Sequence, residues 1–189
     1  MRLRGLAPDA RVYELFAGRP DLYAPFTSFC EQLMRGPSTL STGEREVLGA
    51  YVSALNSCQY CHDVHAQAVR AYGVAPEVLK ALLDEAPGVD PRLQALACLA
   101  RRVTLEPTRI TDADFERCRT SGCDEGSIHD AVVIACCFNF MNRLVSTFDI
   151  QADQAYLDAA GPRLRDHGYA FSLAQAQAPS GDGKTGKPV

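Results

Sequence analysis

The chain has 189 residues, enough for one compact domain and too few for two full ones. Apolar residues make up 47%, charged residues 22%, and the net charge is −4. That balance excludes a general nucleic-acid or membrane-surface binder, since both need a basic face. The eight cysteines are too sparse for a disulfide-stapled miniprotein and too many to ignore. Arg2 and Arg4 open the chain, but no apolar run of signal-peptide length follows. No run approaches the ~18 consecutive apolar residues of a membrane span. The expectation is a cytoplasmic protein with no membrane partner, whose thiols stay reduced unless metal-bound or redox-active.

The elements read in chain order as helices. Residues 21–33 carry Leu22, Tyr23, Phe26, Phe29, Cys30 and Leu33 at spacings of three and four. Ser41-Thr42-Gly43-Glu44 is a capping box that opens a helix bearing Val47, Leu48, Tyr51, Val52 and Leu55. A further helix runs over 58–72 and closes at Gly73, and residues 76–83 form a short one with proline in its first turn. Residues 91–105 place Leu93, Leu96, Ala97, Ala100 and Val103 on one side, and Thr111 caps residues 112–119. Residues 128–148 are apolar nearly all round, which predicts the central buried helix, and 153–165 form a last, weaker one. No segment alternates as a strand does. The predicted architecture is a single all-α domain of about eight helices over residues 1–175. Residues 176–189, with no large apolar side chain before Val189, read as a disordered tail.

One stretch carries chemistry. Cys58 and Cys61 stand at i and i+3 where a helix begins, with Asn56 or Ser57 in position to cap it. They lie within reach of a disulfide after modest adjustment. The helix N-terminus favours a thiolate, the species that attacks peroxides and disulfides. His65 follows Cys61 by four residues on the same face and is placed to take its proton. Glu46, on the preceding helix, is placed to orient or reprotonate that imidazole. Zinc is the competing reading, through Cys58, Cys61, His62 and His65. However, three of these on one short helix crowd a tetrahedral site, and there is no second CxxC. No metal or other cofactor is therefore expected. A thioredoxin-like reading needs a βαβ frame that the pattern lacks.

The spacing Glu-x11-Cys-x2-Cys-x3-His resembles the signature of the alkylhydroperoxidase D-like branch of the carboxymuconolactone decarboxylase superfamily. Glu46, Cys58, Cys61 and His65 fall on its four positions. The stretches Ser53-Ala-Leu-Asn-Ser-Cys58 and Phe138-Asn-Phe-Met-Asn142-Arg143-Leu144 are similar to its peroxidase-related members. The resemblance spans about residues 8–160. It implies an all-helical fold assembled into homotrimers or homohexamers, and reduction of hydroperoxides through a Cys58–Cys61 disulfide. Cys61 would be the peroxidatic cysteine, Cys58 the resolving one, and His65 with Glu46 the proton relay. An external dithiol or a partner protein would restore the thiols. One position departs from the founding alkylhydroperoxidases, which have a histidine where this chain has Tyr60. The decarboxylase members generally lack the redox CxxC, which points away from lactone decarboxylation. The alternative from the same residues is a redox sensor or disulfide-exchange protein without peroxide turnover.

The other six cysteines are expected to pack. Cys30, Cys98, Cys136 and Cys137 lie in apolar stripes, and Cys118 and Cys123 flank a helix end. Asn142 and Arg143, late in an apolar helix, need partners and are read as structural or interfacial.

Overall fold

The computed structural model describes residues 1–169, which form nine α-helices and one 3₁₀ turn with no strand among them. The helices are α1 (Val12–Ala17), α2 (Pro20–Arg35), α3 (Thr42–Leu55), α4 (Gln59–Ala71) and α5 (Pro76–Leu83). After them come α6 (Pro91–Leu105), the 3₁₀ turn Pro107–Arg109, α7 (Asp112–Thr120), α8 (Glu125–Phe148) and α9 (Gln154–His167). The all-helical class is as expected, with one helix more than predicted. That helix, α1, has six residues and too few turns to show a period, yet its Leu15 and Phe16 are buried. The expected tail at 176–189, and the domain end at 175, lie outside the described residues.

Helix starts follow local chemistry. The Ser41 hydroxyl accepts the Glu44 N–H at 3.2 Å, and Glu44 Oε2 accepts the Ser41 N–H at 2.8 Å. The other Glu44 oxygen holds Arg92 of α6, so this cap also ties two helices together. Asp90, Asp124 and Asp153 cap α6, α8 and α9 through their carboxylates.

The centre of the molecule is α3, not α8 as its composition predicted. From Gly43 to Ser53 every α3 residue except Glu44 is buried, including Arg45 and Glu46. Arg45 Nη1 donates to the carbonyls of Leu33 and Gly36, each at 3.0 Å, while its Nε has no partner among the described residues. Helix α3 packs against α4, α8, α6 and α5, and α9 lies along α4. Helix α8 instead buries one stripe (Ile128, Ala131, Ile134, Phe138, Asn142, Val145) and leaves Cys136 and Phe140 exposed. By length and composition α8 could cross a membrane. Its buried stripe nonetheless packs against α3 and α6 and carries a hydrogen-bonded asparagine, as the core helix of a packed domain does.

Two close approaches need glycine. A Cβ on Gly49 of α3 would fall 2.3 Å from the ring of Phe138 in α8. A Cβ on Gly161 of α9 would fall 2.4 Å from the Gln67 carbonyl oxygen of α4. The first makes room for the tip of the Phe138 ring against α3, and the second seats α9 on α4.

Candidate active site

The α3–α4 connection differs from the expected cap. Asn56 is the C-cap of α3, Ser57 adopts the left-handed conformation (φ 54°), and Cys58 itself occupies the N-cap of α4. The tight reversal delivers Cys58 to the helix start and Cys61 to the third helical position. Asn56 is committed elsewhere: its amide donates to Asn139 Oδ1 at 3.0 Å and Asn142 Oδ1 at 2.9 Å.

Both thiols are reduced and nearly closed to solvent, at 2% and 4% exposure. They sit in a small apolar cluster with Leu15, Phe16, Tyr23, Val145 and Ile150. Helix α1 therefore helps to cover the thiols. The two sulfurs are not equivalent. Cys58 is lowered to about 6, chiefly by the Cys61 thiol beside it. The Cys61 backbone N–H, the Ser146 hydroxyl and the Asn142 amide add to this, against the opposing effect of burial. Cys61 is pushed up, first by sharing a proton with Cys58 and then by burial. The two thiols are thus driven apart, Cys58 towards the thiolate and Cys61 towards the thiol.

Asn142 is a site residue that the sequence did not assign. It is 1% exposed and donates to the Ser53 hydroxyl at 3.0 Å, which fixes its amide beside Cys58. Arg143 lies on the exposed side and holds the Asn139 carbonyl at 2.8 Å and its side-chain oxygen at 2.7 Å.

On the far side of Cys61, His65 Nδ1 meets Glu46 Oε2 at 2.7 Å. With the carboxylate as acceptor, Nδ1 is the donor to Glu46, and the neutral imidazole would offer Nε2 as its basic atom. The second Glu46 oxygen accepts the Tyr169 hydroxyl at 2.8 Å. Tyr169 stacks on His65 (6.2 Å between centroids, 14° between planes), and Phe138 meets the imidazole edge-on at 4.6 Å. Burial, then the Glu46 carboxylate, push the Tyr169 phenol well up, so it remains a donor. Tyr169 arrives from beyond α9, and no spacing links it to the CxxC stretch.

Cys61, His65 and Tyr169 all line one cavity of ≈ 90 Å³. Phe16, Phe26, Val64, Phe138 and Met141 make most of its wall apolar. At one side, Tyr60 donates to the Tyr156 hydroxyl at 2.7 Å, and the Arg163 guanidinium lies 4.7 Å over the Tyr156 ring. Tyr60, at the position that departs from the founding pattern, is thus a cavity-wall residue. Its phenol is pushed well up by burial.

All four sequence-predicted residues converge here: Glu46 from α3, Cys58 at the α4 start, and Cys61 and His65 within α4. His62 points elsewhere, with Nδ1 3.2 Å from the Ala50 carbonyl, and lies outside the cavity wall. Among the described residues, no group of three or more His, Cys, Asp or Glu side chains could hold a metal ion. Cys118 and Cys123 reach the carbonyls of Ala95 and Arg92, each at 3.6 Å, and Cys118 is raised to about 11 by burial. Cys136, expected in the core, is exposed.

A model of the Carboxymuconolactone decarboxylase family matches residues 20–87, which hold all four predicted site residues. The crystal structure of an uncharacterized peroxidase-related protein from Silicibacter sp. TM1040 superposes with a TM-score of 0.71. It is 30% identical, over 77% of this chain and 78% of that one. This chain belongs to the carboxymuconolactone decarboxylase superfamily, in its peroxidase-related branch. A second similar structure, from Ralstonia eutropha JMP134, is described as an alkylhydroperoxidase AhpD core and an uncharacterized peroxidase-related protein. It is 27% identical over 78% of each chain, with a TM-score of 0.70. No curated protein matches. The superfamily also contains decarboxylases, so membership assigns the fold and the branch and leaves the reaction to the site.

Proposed function

We propose that this member of the superfamily reduces hydroperoxides with the Cys58–Cys61 pair, using His65 and Glu46 to move protons. The observation that carries the reading is the layered arrangement around Cys61. Cys61 faces an apolar cavity together with His65, while Cys58, lowered to about 6, stands outside the cavity wall.

The steps follow from that layering. His65 Nε2 takes the Cys61 proton as a hydroperoxide enters, and Glu46 stabilises the imidazolium through Nδ1–H. The Cys61 sulfur attacks the distal oxygen, the O–O bond breaks, and His65 returns the proton to the departing alkoxide. Cys61 becomes a sulfenic acid and the product is an alcohol. The Cys58 thiolate then attacks the Cys61 sulfur, the S–O bond breaks, and hydroxide leaves as water with a proton drawn from solvent through His65. An external dithiol attacks the disulfide at Cys61, the sulfur that faces the cavity. Cys58 departs as the thiolate, because the lower-pKa thiol is the better leaving group. A dithiol reductant in a reducing, cytoplasmic setting completes the cycle.

The proposed assembly is a homotrimer or homohexamer. Leu22, Phe29 and Phe140 are each about half exposed, and Phe26 joins them at 6.5 Å from Phe29 and 5.1 Å from Phe140. A contiguous aromatic face of this kind on α2 and α8 is what an interface between copies would bury.

The direct test is consumption of hydrogen peroxide and cumene hydroperoxide with dithiothreitol as reductant. Cys61→Ser is expected to abolish turnover, and Cys58→Ser to stop cycling at the sulfenic acid. Full activity in Cys61→Ser overturns the mechanism. Oxidation of the wild-type pair without repeated turnover leaves the redox-sensing reading in its place.

A further inference from the structure

The same cavity is lined by two more thiols. Cys30 comes from α2 and Cys137 from α8, 107 residues apart in sequence, and their sulfurs lie 3.7 Å apart. Both are buried against bulk solvent, at 6% and 7% exposure, so the cavity wall is where a small molecule meets them. We propose that Cys30 and Cys137 form a second redox-active dithiol, oxidised to an α2–α8 disulfide by hydroperoxide that enters this cavity.

Packing alone does not require this arrangement. A buried cysteine as a small apolar filler needs no second sulfur at contact distance from another helix. Here the two sulfurs share one S–H contact, which lowers Cys137 and raises Cys30. The pair therefore repeats the asymmetry of the CxxC, with one sulfur lowered and its neighbour raised. It also lies close enough to the proton relay for both sulfurs to act electrostatically on the Tyr169 phenol.

The step balances within the cavity. The Cys137 sulfur attacks the distal oxygen of ROOH and the O–O bond breaks. The alkoxide takes the proton that Cys137 gave up, leaving ROH and a Cys137 sulfenic acid. The Cys30 sulfur attacks that sulfenic sulfur, the S–O bond breaks, and hydroxide leaves as water with the Cys30 proton. Each pair consumes one hydroperoxide, so a fully reduced chain without reductant would consume roughly two equivalents. The proposal takes from the function proposed above only that hydroperoxide enters the cavity; it does not need the CxxC to turn over.

The experiment uses the full chain with Cys136→Ser, because exposed Cys136 adjoins Cys137 and would confuse assignment. Reduced protein is freed of reductant, treated with hydrogen peroxide, digested without reduction and analysed by mass spectrometry. The expected result is a peptide joining Cys30 to Cys137. It should also form when Cys58→Ser and Cys61→Ser are added. Peroxide consumed per chain should fall about twofold in Cys137→Ala, whereas Cys30→Ser should still consume it and leave a Cys137 sulfenic acid that dimedone traps. Failure of the joined peptide to form while the Cys58–Cys61 disulfide does form overturns this proposal and leaves the proposed function standing. Formation only when Cys58 and Cys61 are intact overturns direct oxidation. A joined peptide in a protein that does not turn over peroxide sustains this site and removes the proposed function. The cross-link itself is read without changing either cysteine of the pair, so a variant that misfolds does not decide the outcome.

Discussion

At the scale of single residues, the CxxC is asymmetric because its two sulfurs meet different neighbours. Cys58 sits at a helix start among the Cys61 N–H, the Ser146 hydroxyl and the Asn142 amide, and is lowered to about 6. Folding therefore lowers its pKa below that of a free thiol, and its thiolate fraction rises with pH through about 6. Iodoacetamide labelling of the reduced, unfrozen protein should follow that midpoint. In Asn142→Ala, which removes one anion-stabilising donor, the midpoint should move up towards the ordinary thiol value of about 8.5. A second prediction concerns Tyr169. Tyr169→Phe keeps the ring stack on His65 and loses the hydroxyl donated to Glu46. One such hydrogen bond to a charged group is worth about 1.5–3 kcal/mol. Under the proposed mechanism kcat should drop at least about tenfold with KM nearly unchanged. Steady-state kinetics with cumene hydroperoxide checks this. Cys58, Cys61 and His65 could be grouped from their spacing along one helix, and Glu46 on the preceding helix joined them through the family pattern. Asn142, Tyr169 and the Cys30–Cys137 contact were not legible, because each arrives from across the chain and tertiary packing sets its neighbours.

At the scale of elements, helix boundaries followed from caps, while burial followed from partners. The capping box at Ser41 and the prolines at the starts of α5 and α6 marked helices that the structure contains. The rank of the helices in the core was misjudged, since composition favoured α8 and the structure centres on α3. The reason lies in Arg45 and Glu46: their charges made α3 look amphipathic, but both are buried against groups from other elements, Arg45 through Nη1 and Glu46 through both oxygens. Helix α9 gives this scale its prediction. Gly161 lets it rest on the Gln67 carbonyl, and the chain then turns at Gly168 to place Tyr169 over His65. Gly161→Ala forces that contact apart at a cost of about 1–3 kcal/mol. Thermal unfolding should show the lower stability, and kcat should fall as in Tyr169→Phe because the displaced helix carries Tyr169 with it.

At the scale of the whole molecule, the nearly uniform apolar character of α8 has two sources. One stripe belongs to the core of the chain. The other, with Phe140 beside Phe29 and Leu22 of α2, belongs to the proposed contact between copies. Light scattering should give a mass of three or six times 20.5 kDa. Phe29→Asp combined with Phe140→Asp should reduce that mass to one chain, because two buried carboxylates would lack partners across the interface. The alternation of core and contact faces on one helix explains why sequence periodicity could not rank α8: both faces read as apolar.

Tyr169 meets His65 across a separation of 104 residues. During synthesis at about 5–20 residues per second, α4 is made roughly 5–20 s before the residue that completes its proton relay. Asn142 and Ser146, two of the donors that lower Cys58, follow Cys61 by 81 and 85 residues. For most of that interval the nascent chain carries both cysteines without them, and Tyr169 adds its hydrogen bond to Glu46 only at the end. A chain stalled before residue 142 should therefore alkylate with a higher midpoint than the folded protein.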